Sequence, residues 1–382
     1  MKLLVVSHSF STPLNQSFYA DVEQVTGWSI SLIVPARWKT EYSVRSAERW
    51  PALRGTIHPI PVFQSGNIPL HLYRSSFVAL LRSLRPDAIY VQHEPYGAAT
   101  AQVYLANRIC DRVLIGFYAA QNILKNYPPP FRWTESFVLK ESSFCFPVTD
   151  DALGILRTKG YRGDAEVLPL AIDTDLYRPM PEAAAALREK LGISPSEPII
   201  GYLGRLVPEK GLVTLVKALD RIRGLPWSCV LVGNGPMEAE LRQVITAAHL
   251  ESRFRFVGYV PHTEAPQWLS LFDILALPSE SQPNWKEQFG RVIVEANACG
   301  TPVVGTLCGE IPHVLERTGG GLVVSEGSPE ELATAFRRLI ESPALRYELA
   351  VQGQSSSHRE YSQVRLARRF SDTILRNFPR VV

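Results

Sequence analysis

Short apolar runs alternate with polar turns and with stretches of helical spacing along the chain. In the first half the runs are 3–6, 29–34, 56–62, 87–91, 113–117 and 144–148. Continuous apolar runs of this length are typical of parallel strands that are covered on both faces. Helices are predicted between them, including one capped near Asn15 and an amphipathic one at about 70–84. Strands and helices in alternation predict a doubly wound parallel sheet.

The same alternation begins again in the second half. Its apolar runs are 198–203, 229–232, 254–257, 273–277, 301–304 and 320–324. A chain of 382 residues is also too long for a single hydrophobic core of ordinary size. We therefore expect two α/β domains, each with a parallel sheet of its own.

Composition narrows the class of protein. Apolar residues make up 46% of the chain and charged residues 20%, as in soluble globular proteins. A net charge of +3 is too small to argue for nucleic-acid binding. The five cysteines form no CxxC pair, which is typical of reduced thiols in a cytosolic core. Neither a signal-peptide pattern nor an apolar run of roughly 20 residues is found, so we expect a cytoplasmic protein.

The segment 287–305 reads EQFGRVIVEANACGTPVVG and combines two carboxylates with a helix start. Glu287 precedes the first turn of the predicted helix, and Glu295 follows roughly two turns later, at about 5.4 Å per turn. Free amide groups at a helix start attract anions. The segment therefore predicts a polar, anion-binding site, unless both glutamates are ordinary solvent-facing residues. The helix residues that can face a core are Val292, Ala296 and Cys299.

A second segment, 204–211, reads GRLVPEKG and follows the predicted strand at 198–203. It places two cations, Arg205 and Lys210, between glycines. An arginine can bind two phosphate oxygens through its planar guanidinium group, and a lysine offers a compact point charge. The pattern favours phosphate binding over the alternative that both cations are simply exposed on the surface.

Polar residues also follow the predicted strands of the first half. In open parallel sheets, ligands bind beyond the carboxyl ends of the strands. Each such residue alone could serve in a loop or a helix cap, but several at one sheet edge predict the wall of a binding cleft. The residues are His8, His93, Glu94, Tyr118, Gln121, Asn122 and Asp150.

Together, segments 204–211 and 287–305 resemble the carboxy-terminal domain of retaining GT-B glycosyltransferases of family 4, and a looser likeness extends along nearly the whole chain. The resemblance implies an α/β protein of GT-B fold, with two Rossmann-like doubly wound domains that face each other across a cleft. It implies an acceptor-side domain at 1–175 and a domain that binds the nucleotide sugar at 176–360. It also implies that a last helix, 361–382, packs back on the first domain.

The implied activity is transfer of a sugar from a UDP- or GDP-sugar to a hydroxyl group of a glycan, lipid or small molecule, with retention of anomeric configuration. Arg205 and Lys210 would stabilise the leaving diphosphate, and Glu287 would hold hydroxyls of the donor sugar. Glu295 would hold the ribose hydroxyls. The other donor-binding residues implied by the resemblance are Gly204, Gly258, Val260, Phe289, Gly290, Arg291 and Gly309.

No cofactor and no metal are expected at this site. The two cations and the amides at the helix start can stabilise the leaving diphosphate by themselves. The triplet 173–175, Asp-Thr-Asp, has the spelling of a metal-binding DxD motif. It lies, however, in the segment that resembles the family's crossing between domains.

The first half departs from the family pattern at two points. Residues 10–16 stand where relatives carry a paired-glycine loop, and Tyr118 stands where many relatives carry a histidine. The acceptor side is therefore assigned only as a set, namely the seven strand-end residues above together with Asn15. The arginine-rich tail leaves peripheral contact with the inner face of the membrane open, although its interspersed acidic residues favour a solvated helix face.

Three other classes stay open from the residues alone. A non-hydrolysing sugar-nucleotide epimerase shares the architecture, but the paired glutamates favour transfer. A nicotinamide-dependent dehydrogenase would carry a full GxGxxG after a strand, whereas the sequence has only GNG at 233–235. A non-catalytic sugar-binding protein would keep a pocket without the cations at 205 and 210.

Overall fold

The computed structural model describes residues 1–40, 43–110 and 112–378. The chain divides into two compact units. Unit 1 comprises Met1–Ala171 together with Gln363–Val382, and unit 2 comprises Ile172–Ser362. The division thus falls a few residues before 175/176. The last helix begins at Gln363 rather than at 361, and residues 379–382 of the predicted helix lie outside the described residues.

The strands form one parallel sheet in each unit and two small antiparallel pairs. They are β1 (Lys2–Val6), β2 (Ser29–Pro35), β3 (Arg37–Lys39), β4 (Val44–Ser46), β5 (Thr56–Ile60), β6 (Val62–Phe63), β7 (Leu72–Tyr73), β8 (Ala88–Val91), β9 (Leu114–Ala119), β10 (Phe144–Pro147), β11 (Asp164–Ala165), β12 (Ile199–Leu203), β13 (Ser228–Val232), β14 (Phe254–Gly258), β15 (Ile274–Leu277), β16 (Val303–Thr306) and β17 (Gly321–Val324). Strands β3 and β4 pair with each other, as do β6 and β7.

Helices cover both faces of each sheet. They are α1 (Ser17–Thr26), α2 (Phe77–Leu84), α3 (Ala98–Ile109), α4 (Phe131–Glu141), α5 (Asp150–Thr158), α6 (Pro181–Lys190), α7 (Leu212–Arg221), α8 (Glu238–Ala247), α9 (Ala265–Leu271), α10 (Arg291–Ala298), α11 (Ile311–Thr318), α12 (Pro329–Glu341), α13 (Pro343–Tyr361) and α14 (Gln363–Asn377). In β1, Leu4 and Val6 pack in the core layer that includes α2 and α3, whereas Leu3 and Val5 pack in the layer of α1 and α14. Burial on both faces is why the strand is apolar without interruption.

Strand order defines one switch point in each sheet. In unit 1 the order is β11-β10-β9-β8-β1-β2-β5, and in unit 2 it is β14-β13-β12-β15-β16-β17, with every neighbouring pair parallel. The chain builds each sheet outward on one side of the first strand and then returns to its other side. The order therefore reverses between β1 and β8 and between β12 and β15. Ligands of such sheets bind beyond the carboxyl ends of the strands at this point.

The helix predicted at about 70–84 is shorter than expected. Leu72–Tyr73 is a strand that pairs with Val62–Phe63, and α2 begins only at Phe77. The Ser76 hydroxyl accepts a hydrogen bond from the Ala79 amide at 3.3 Å, which is the usual side-chain cap of a helix start. The apolar spacing before Ser76 belongs to the β-pair and its turn.

The cap predicted near Asn15 is also wrong. Asn15 lies in a short 3-10 helix, Pro13–Gln16, and α1 begins at Ser17. The Asn15 side-chain amide donates to the Ser9 carbonyl at 2.8 Å. It therefore fixes the loop after β1 instead of capping α1.

Helix α14 is held in unit 1 by its apolar face and by ion pairs. Leu366, Ala367, Phe370 and Ile374 are fully buried at helical spacing. On the polar side, Arg369 Nε lies 2.9 Å from Glu166 Oε1 and Arg376 Nε lies 2.8 Å from Asp164 Oδ2. Two of the tail arginines are thus paired with carboxylates of the same unit. No helix among the described residues combines the length and the apolar character needed to cross a bilayer.

Candidate functional site

The switch point of unit 2 gathers two of the three residues that the sequence predicted as catalytic. The loop after β12 carries a 3-10 helix, Pro208–Lys210, and the loop after β15 carries Glu287. The Glu280 amide donates to the Glu209 carbonyl at 2.9 Å, which ties the two loops together. Two of the predicted site residues therefore lie on loops that two neighbouring parallel strands hold in place.

Lys210 and Glu287 form a short ion pair. Lys210 Nζ lies 2.5 Å from Glu287 Oε2, and their side chains are only 16% and 13% exposed. The Ser279 hydroxyl donates to the same Glu287 oxygen at 3.2 Å. Lys210 Nζ also lies 4.9 Å from the centroid of the Trp285 ring, within the range of a cation–π interaction. Sequence reasoning missed Ser279 and Trp285, because neither stands in a recognisable motif.

The loop after β16 fixes the backbone of Glu287. Gly309 has a φ of +57°, and a Cβ atom on it would lie 2.1 Å from the Glu287 carbonyl oxygen. The Glu310 amide donates to that carbonyl at 3.0 Å. Only glycine permits this close approach of two backbones. The predicted donor-binding residue Gly309 thus shapes the site through the backbone.

The side chain of Arg205 is more exposed to solvent than that of Lys210. The Arg205 side chain is 48% exposed, and Nη2 lies 3.5 Å from Glu209 Oε1. Its backbone is fixed, since the Tyr202 hydroxyl donates to the Arg205 carbonyl at 2.6 Å. The neighbouring Gly204 amide donates to the Val232 carbonyl at 3.0 Å. The structure therefore holds the backbone at Arg205 and leaves the guanidinium group partly in solvent.

Helix α10 begins where the motif predicted. Gly290 takes the left-handed conformation that precedes the helix, with a φ of +73°. Phe289 is buried, and its ring centroid lies 6.0 Å from that of Tyr361. The first amides of a helix have no acceptor within it and carry a partial positive charge. The expected core face is only partly right: Ala296 and Cys299 are buried, but Val292 is half-buried and Ile293 takes the inner position.

Glu295 is a buried carboxylate, not a surface residue. It is 6% exposed, and Arg291 Nε lies 2.9 Å from its Oε1. Burial raises the pKa of Glu295, while the charge of Arg291 and the hydroxyl of Tyr177 counteract that rise. Tyr177 comes from the segment between β11 and α6 and is fully buried. No local pattern indicated that Tyr177 would lie near Glu295, because the two residues are far apart along the chain.

The remaining donor-side predictions lie on the loops of the same sheet. The Gly258 carbonyl accepts a hydrogen bond from the Gly233 amide at 2.8 Å, and Val260 follows in a partly buried loop.

The Asp-Thr-Asp triplet at 173–175 forms part of a turn, since Asp173 Oδ1 accepts hydrogen bonds from the amides of Asp175 and Leu176 at 3.0 and 3.1 Å. Its first carboxylate is therefore engaged with its own backbone.

The sheet edge of unit 1 brings several predicted acceptor-side residues to its switch point. His8 follows β1 and His93 follows β8, and their Nδ1 atoms lie 2.9 Å apart. Glu94 Oε1 accepts from the Ala120 amide at 2.8 Å. Burial raises the pKa of Glu94 to about 7, although that amide hydrogen bond acts in the opposite direction. Asn122 is buried at the same edge.

Other acceptor-side predictions have more ordinary positions. Tyr118 lies inside β9, which extends to Ala119, and packs against the core layer of α1 and α14. Asp150 is exposed in the first turn of α5, where Thr149 provides the cap. Gln121 accepts from the Ile123 amide at 3.1 Å and donates to the Tyr127 hydroxyl at 3.5 Å. Asn15 supports the loop after β1, as described above.

His71 is a residue of this edge that the sequence analysis missed. It immediately precedes β7, within the range that was predicted as helix. Its ring centroid lies 5.5 Å from that of His8 and 5.0 Å from that of His93. Burial and the neighbouring His71 lower the pKa of His8 to about 3, so the ring is neutral at physiological pH. A histidine in this segment could have indicated a site residue, but the apolar spacing around it predicted a helix, so His71 was assigned to that helix.

Residues 184–356, which make up most of unit 2, match the family described as glycosyl transferases group 1. This part of the chain is similar to that family. The chain is 28% identical over 280 residues to alpha-D-kanosaminyltransferase of Streptomyces kanamyceticus, covering 70% of this chain and 71% of that protein. Over 185 residues it is 35% identical to the GDP-mannose-dependent alpha-(1-6)-phosphatidylinositol monomannoside mannosyltransferase of Mycobacterium tuberculosis (strain CDC 1551 / Oshkosh). That match covers 47% of this chain and 48% of the relative, so it spans about half of the relative's length.

The fold is that of GT-B glycosyltransferases. Superposition on Anabaena HepE, solved in complex with UDP, gives a TM-score of 0.77 over 98% of this chain and 100% of that chain, at 22% identity. Two parallel α/β sheets are the feature in common. The family and the relatives support glycosyl transfer from a nucleotide sugar, and they give no support to the epimerase alternative.

Proposed function

We propose that this protein is a retaining glycosyltransferase that moves a sugar from a UDP- or GDP-sugar to a hydroxyl acceptor. The observation that carries the proposal is the partly buried Lys210–Glu287 ion pair, held at the switch point of unit 2 beside the start of α10. Similarity of residues 184–356 to glycosyl transferases group 1 supports the class of reaction. The paired charges support a site within unit 2.

Charge develops on the diphosphate as the bond to the sugar breaks. Lys210 is a fixed cation in a nearly buried setting, where an electrostatic interaction is stronger than it is in water. Arg205 adds a second cation that can reach outward, and the first amides of α10 add a partial positive charge. In our proposal these three elements stabilise the leaving group, with no metal at the phosphates.

The two carboxylates hold the hydroxyl groups of the donor. Glu287 is fixed by Lys210 and Ser279 and binds hydroxyls of the sugar, whereas Glu295 is fixed by Arg291 and binds the ribose. Ionised carboxylates make strong, charge-assisted hydrogen bonds to hydroxyl donors. The names of similar proteins include GDP-mannose and UDP, so both nucleotides belong in the test.

The first experiment is calorimetric titration of UDP, GDP, ADP and NAD into the purified full chain in the presence of a chelator. We expect UDP or GDP to bind wild type and to lose affinity in Glu295→Ala. Glu240→Ala, at an exposed position of α8, is the matched control and should bind as wild type does. Binding of NAD alone, with no response to Glu295→Ala, would contradict the proposal and favour a dehydrogenase.

The second experiment addresses retention. The matching nucleotide sugars are incubated with candidate hydroxyl acceptors, and nucleoside diphosphate release is followed. Proton NMR of the product then gives the anomeric configuration of the new bond. We expect it to equal that of the donor, and inversion would remove the retaining part of the proposal while leaving the donor site intact.

Acceptor class and location belong to the same proposal. One relative is named for a phosphatidylinositol monomannoside acceptor, so lipid headgroups stand beside glycans and small molecules among the candidates. We place the protein in the cytoplasm, with peripheral membrane contact if the acceptor is a lipid. Sedimentation with phosphatidylcholine vesicles, with and without phosphatidylglycerol, tests this contact, and equal recovery in the supernatant from both would contradict it.

A further inference from the structure

Three histidine rings converge at the switch point of unit 1. His8 and His93 follow the neighbouring strands β1 and β8, and His71 approaches from the turn before β7. One ring nitrogen of each residue lies within 4.8 Å of a ring nitrogen of each of the others. His71 and His93 are almost fully buried, at 1% and 4% exposure. Three imidazoles from three separate segments thus point at one small volume.

The hydrogen bonds of His71 leave one nitrogen available to a ligand. Its Nδ1 lies 2.9 Å from the Ile68 carbonyl oxygen, which can only accept, so Nδ1 carries the proton and Nε2 carries a lone pair. Nε2 is buried and has no hydrogen-bond partner among the described residues. In metal sites, a ligating histidine commonly donates its other nitrogen to a backbone carbonyl in this way.

His93 has a second buried nitrogen of the same kind. Its Nδ1 lies 2.9 Å from His8 Nδ1, while its Nε2 also lacks a partner within the described part of the chain. An unpaired buried polar atom costs free energy. Two such atoms in one cluster of neutral rings indicate that something other than protein completes the site.

We infer that His8, His71 and His93 bind a first-row transition-metal ion, with Zn²⁺ as the best match. Neutral imidazole is a borderline-soft nitrogen ligand that suits zinc, copper and nickel, whereas magnesium and calcium prefer oxygen. Three histidines leave the fourth tetrahedral position open for water or another oxygen ligand, as in zinc sites of the three-histidine type. This inference goes beyond the proposed glycosyl transfer and does not rest on it.

The competing explanation is aromatic packing alone. The centroid of the Trp38 ring lies 4.9 Å from that of His8 and 5.0 Å from that of His71. On this explanation the four rings form an aromatic cluster that needs no ion. Packing explains why the rings are close. It does not explain why one ring nitrogen of each histidine lies within 4.8 Å of the others, or why His71 Nε2 and His93 Nε2 are buried without a partner among the described residues.

The test uses the full chain with any affinity tag removed and its metals stripped by a chelator. Zn²⁺ is titrated by calorimetry, and Co²⁺ is titrated in parallel because its visible absorption reports tetrahedral nitrogen coordination. Variants are His71→Gln and His93→Gln. His58→Gln, a half-buried histidine on β5 of the same unit, is the matched control. Circular dichroism and thermal unfolding establish which variants fold.

We expect one equivalent of Zn²⁺ in wild type and in His58→Gln, with a raised Tm in both. Affinity should fall by roughly 100-fold or more in His71→Gln and His93→Gln, since loss of a supporting residue alone costs 10- to 100-fold. Should a variant fail to fold, X-ray absorption of the wild-type zinc complex decides, because it counts imidazole ligands. Absence of stoichiometric uptake by wild type, or unchanged affinity in the folded variants, would overturn the inference.

Discussion

The two switch points have the same topology and opposite chemistry. In unit 2 the loops after β12 and β15 place a lysine against a carboxylate, so the site is an ion pair that offers both charges to a ligand. In unit 1 the loops after β1 and β8 place two histidines together, with His71 as a third, and burial keeps the His8 ring neutral. The sheet therefore fixes where a site lies, while the residues on the loops fix what it can bind.

The two sites also differ in how far neighbouring protein groups supply contacts to their polar atoms. In unit 2, the Ser279 hydroxyl donates a hydrogen bond to Glu287, and the Trp285 ring lies against Lys210. These contacts hold both charges in place before a ligand binds, which favours charge stabilisation. Within the described part of the chain, the histidine cluster contains two buried nitrogens without hydrogen-bond partners, and in our inference a metal ion completes it. Variants that disturb one site and leave the other unchanged test the comparison directly.

The largest effect is expected for Lys210→Gln. Loss of a preorganised cation at the leaving diphosphate should lower kcat/KM by about 10²–10³-fold, or about 2.7–4 kcal/mol. Lys217→Gln, at an exposed position of α7, is the control and should keep wild-type activity. The readout is release of nucleoside diphosphate from the donor chosen by calorimetry.

A double-mutant cycle sharpens this result. If Lys210 acts on the substrate only through Glu287, adding Glu287→Gln to Lys210→Gln should cost little more than either change alone. Independent roles predict that the two losses add. Turnover of Lys210→Gln within threefold of wild type would place the leaving-group charge elsewhere.

Arg205→Ala should cost less, about 1.5–3 kcal/mol in kcat/KM, the range for hydrogen bonds to charged groups. The guanidinium is half exposed and already interacts with Glu209, so water screens part of its charge. Arg242→Ala is a close control, because Arg242 is 56% exposed and forms the same kind of i,i+4 pair, with Glu238. Equal activity of the two variants would exclude Arg205 from the mechanism.

Glu295 predicts a pH dependence of nucleotide binding. An ordinary glutamate has a pKa of about 4.3. Because burial raises the pKa of Glu295, its carboxyl in the folded protein takes up a proton at a higher pH than that. Affinity for the nucleotide should therefore weaken on acidification, beginning above that range, by about tenfold per pH unit below the folded pKa. Calorimetry of UDP or GDP over a pH series measures it.

The control separates Glu295 from the nucleotide's own titration. Glu295→Gln should bind more weakly at neutral pH but lose this component of the pH profile, whereas Glu240→Gln should reproduce wild type. The sign for folding is opposite. A raised carboxyl pKa means that the folded state binds the proton more tightly, so stability from this group falls as pH rises from the unfolded to the folded pKa.

Much of the fold could be predicted because its signals are local. Strands β1, β8 and β12 are continuous apolar runs, since both of their faces are covered, and the glycines around Lys210 and Glu287 mark the loops that follow β12 and β15. Lys210 and Glu287 were each predicted as site residues, from two segments that are far apart along the chain, because each segment carries a recognisable motif of its own. Their ion pair was not predicted.

The parts that could not be predicted depend on contacts without a local pattern. His71 stands in a stretch with helical spacing, and only the pairing of β6 with β7 and the cap at Ser76 remove it from a helix. Tyr177 reaches Glu295 across more than a hundred residues of sequence. Ile293, and not Val292 as expected, lies on the buried side of α10, because the direction of the core depends on how the helix packs and not on its composition.

The smallest effect is expected from chelation, and it separates the two sites most cleanly. Stripping metal from wild type should leave the affinity for UDP or GDP within about twofold, since in our proposal Lys210, Arg205 and the α10 amides replace a cation at the phosphates. The same sample should lose its Zn²⁺ from the histidine cluster and regain it on titration. Restoring Mg²⁺ to the chelated protein is the control for the phosphates. If nucleotide binding needed that Mg²⁺, the metal-free mechanism in unit 2 would be wrong, whereas the zinc titration of unit 1 would keep its own outcome, because the ligands that carry each site lie on different sheets.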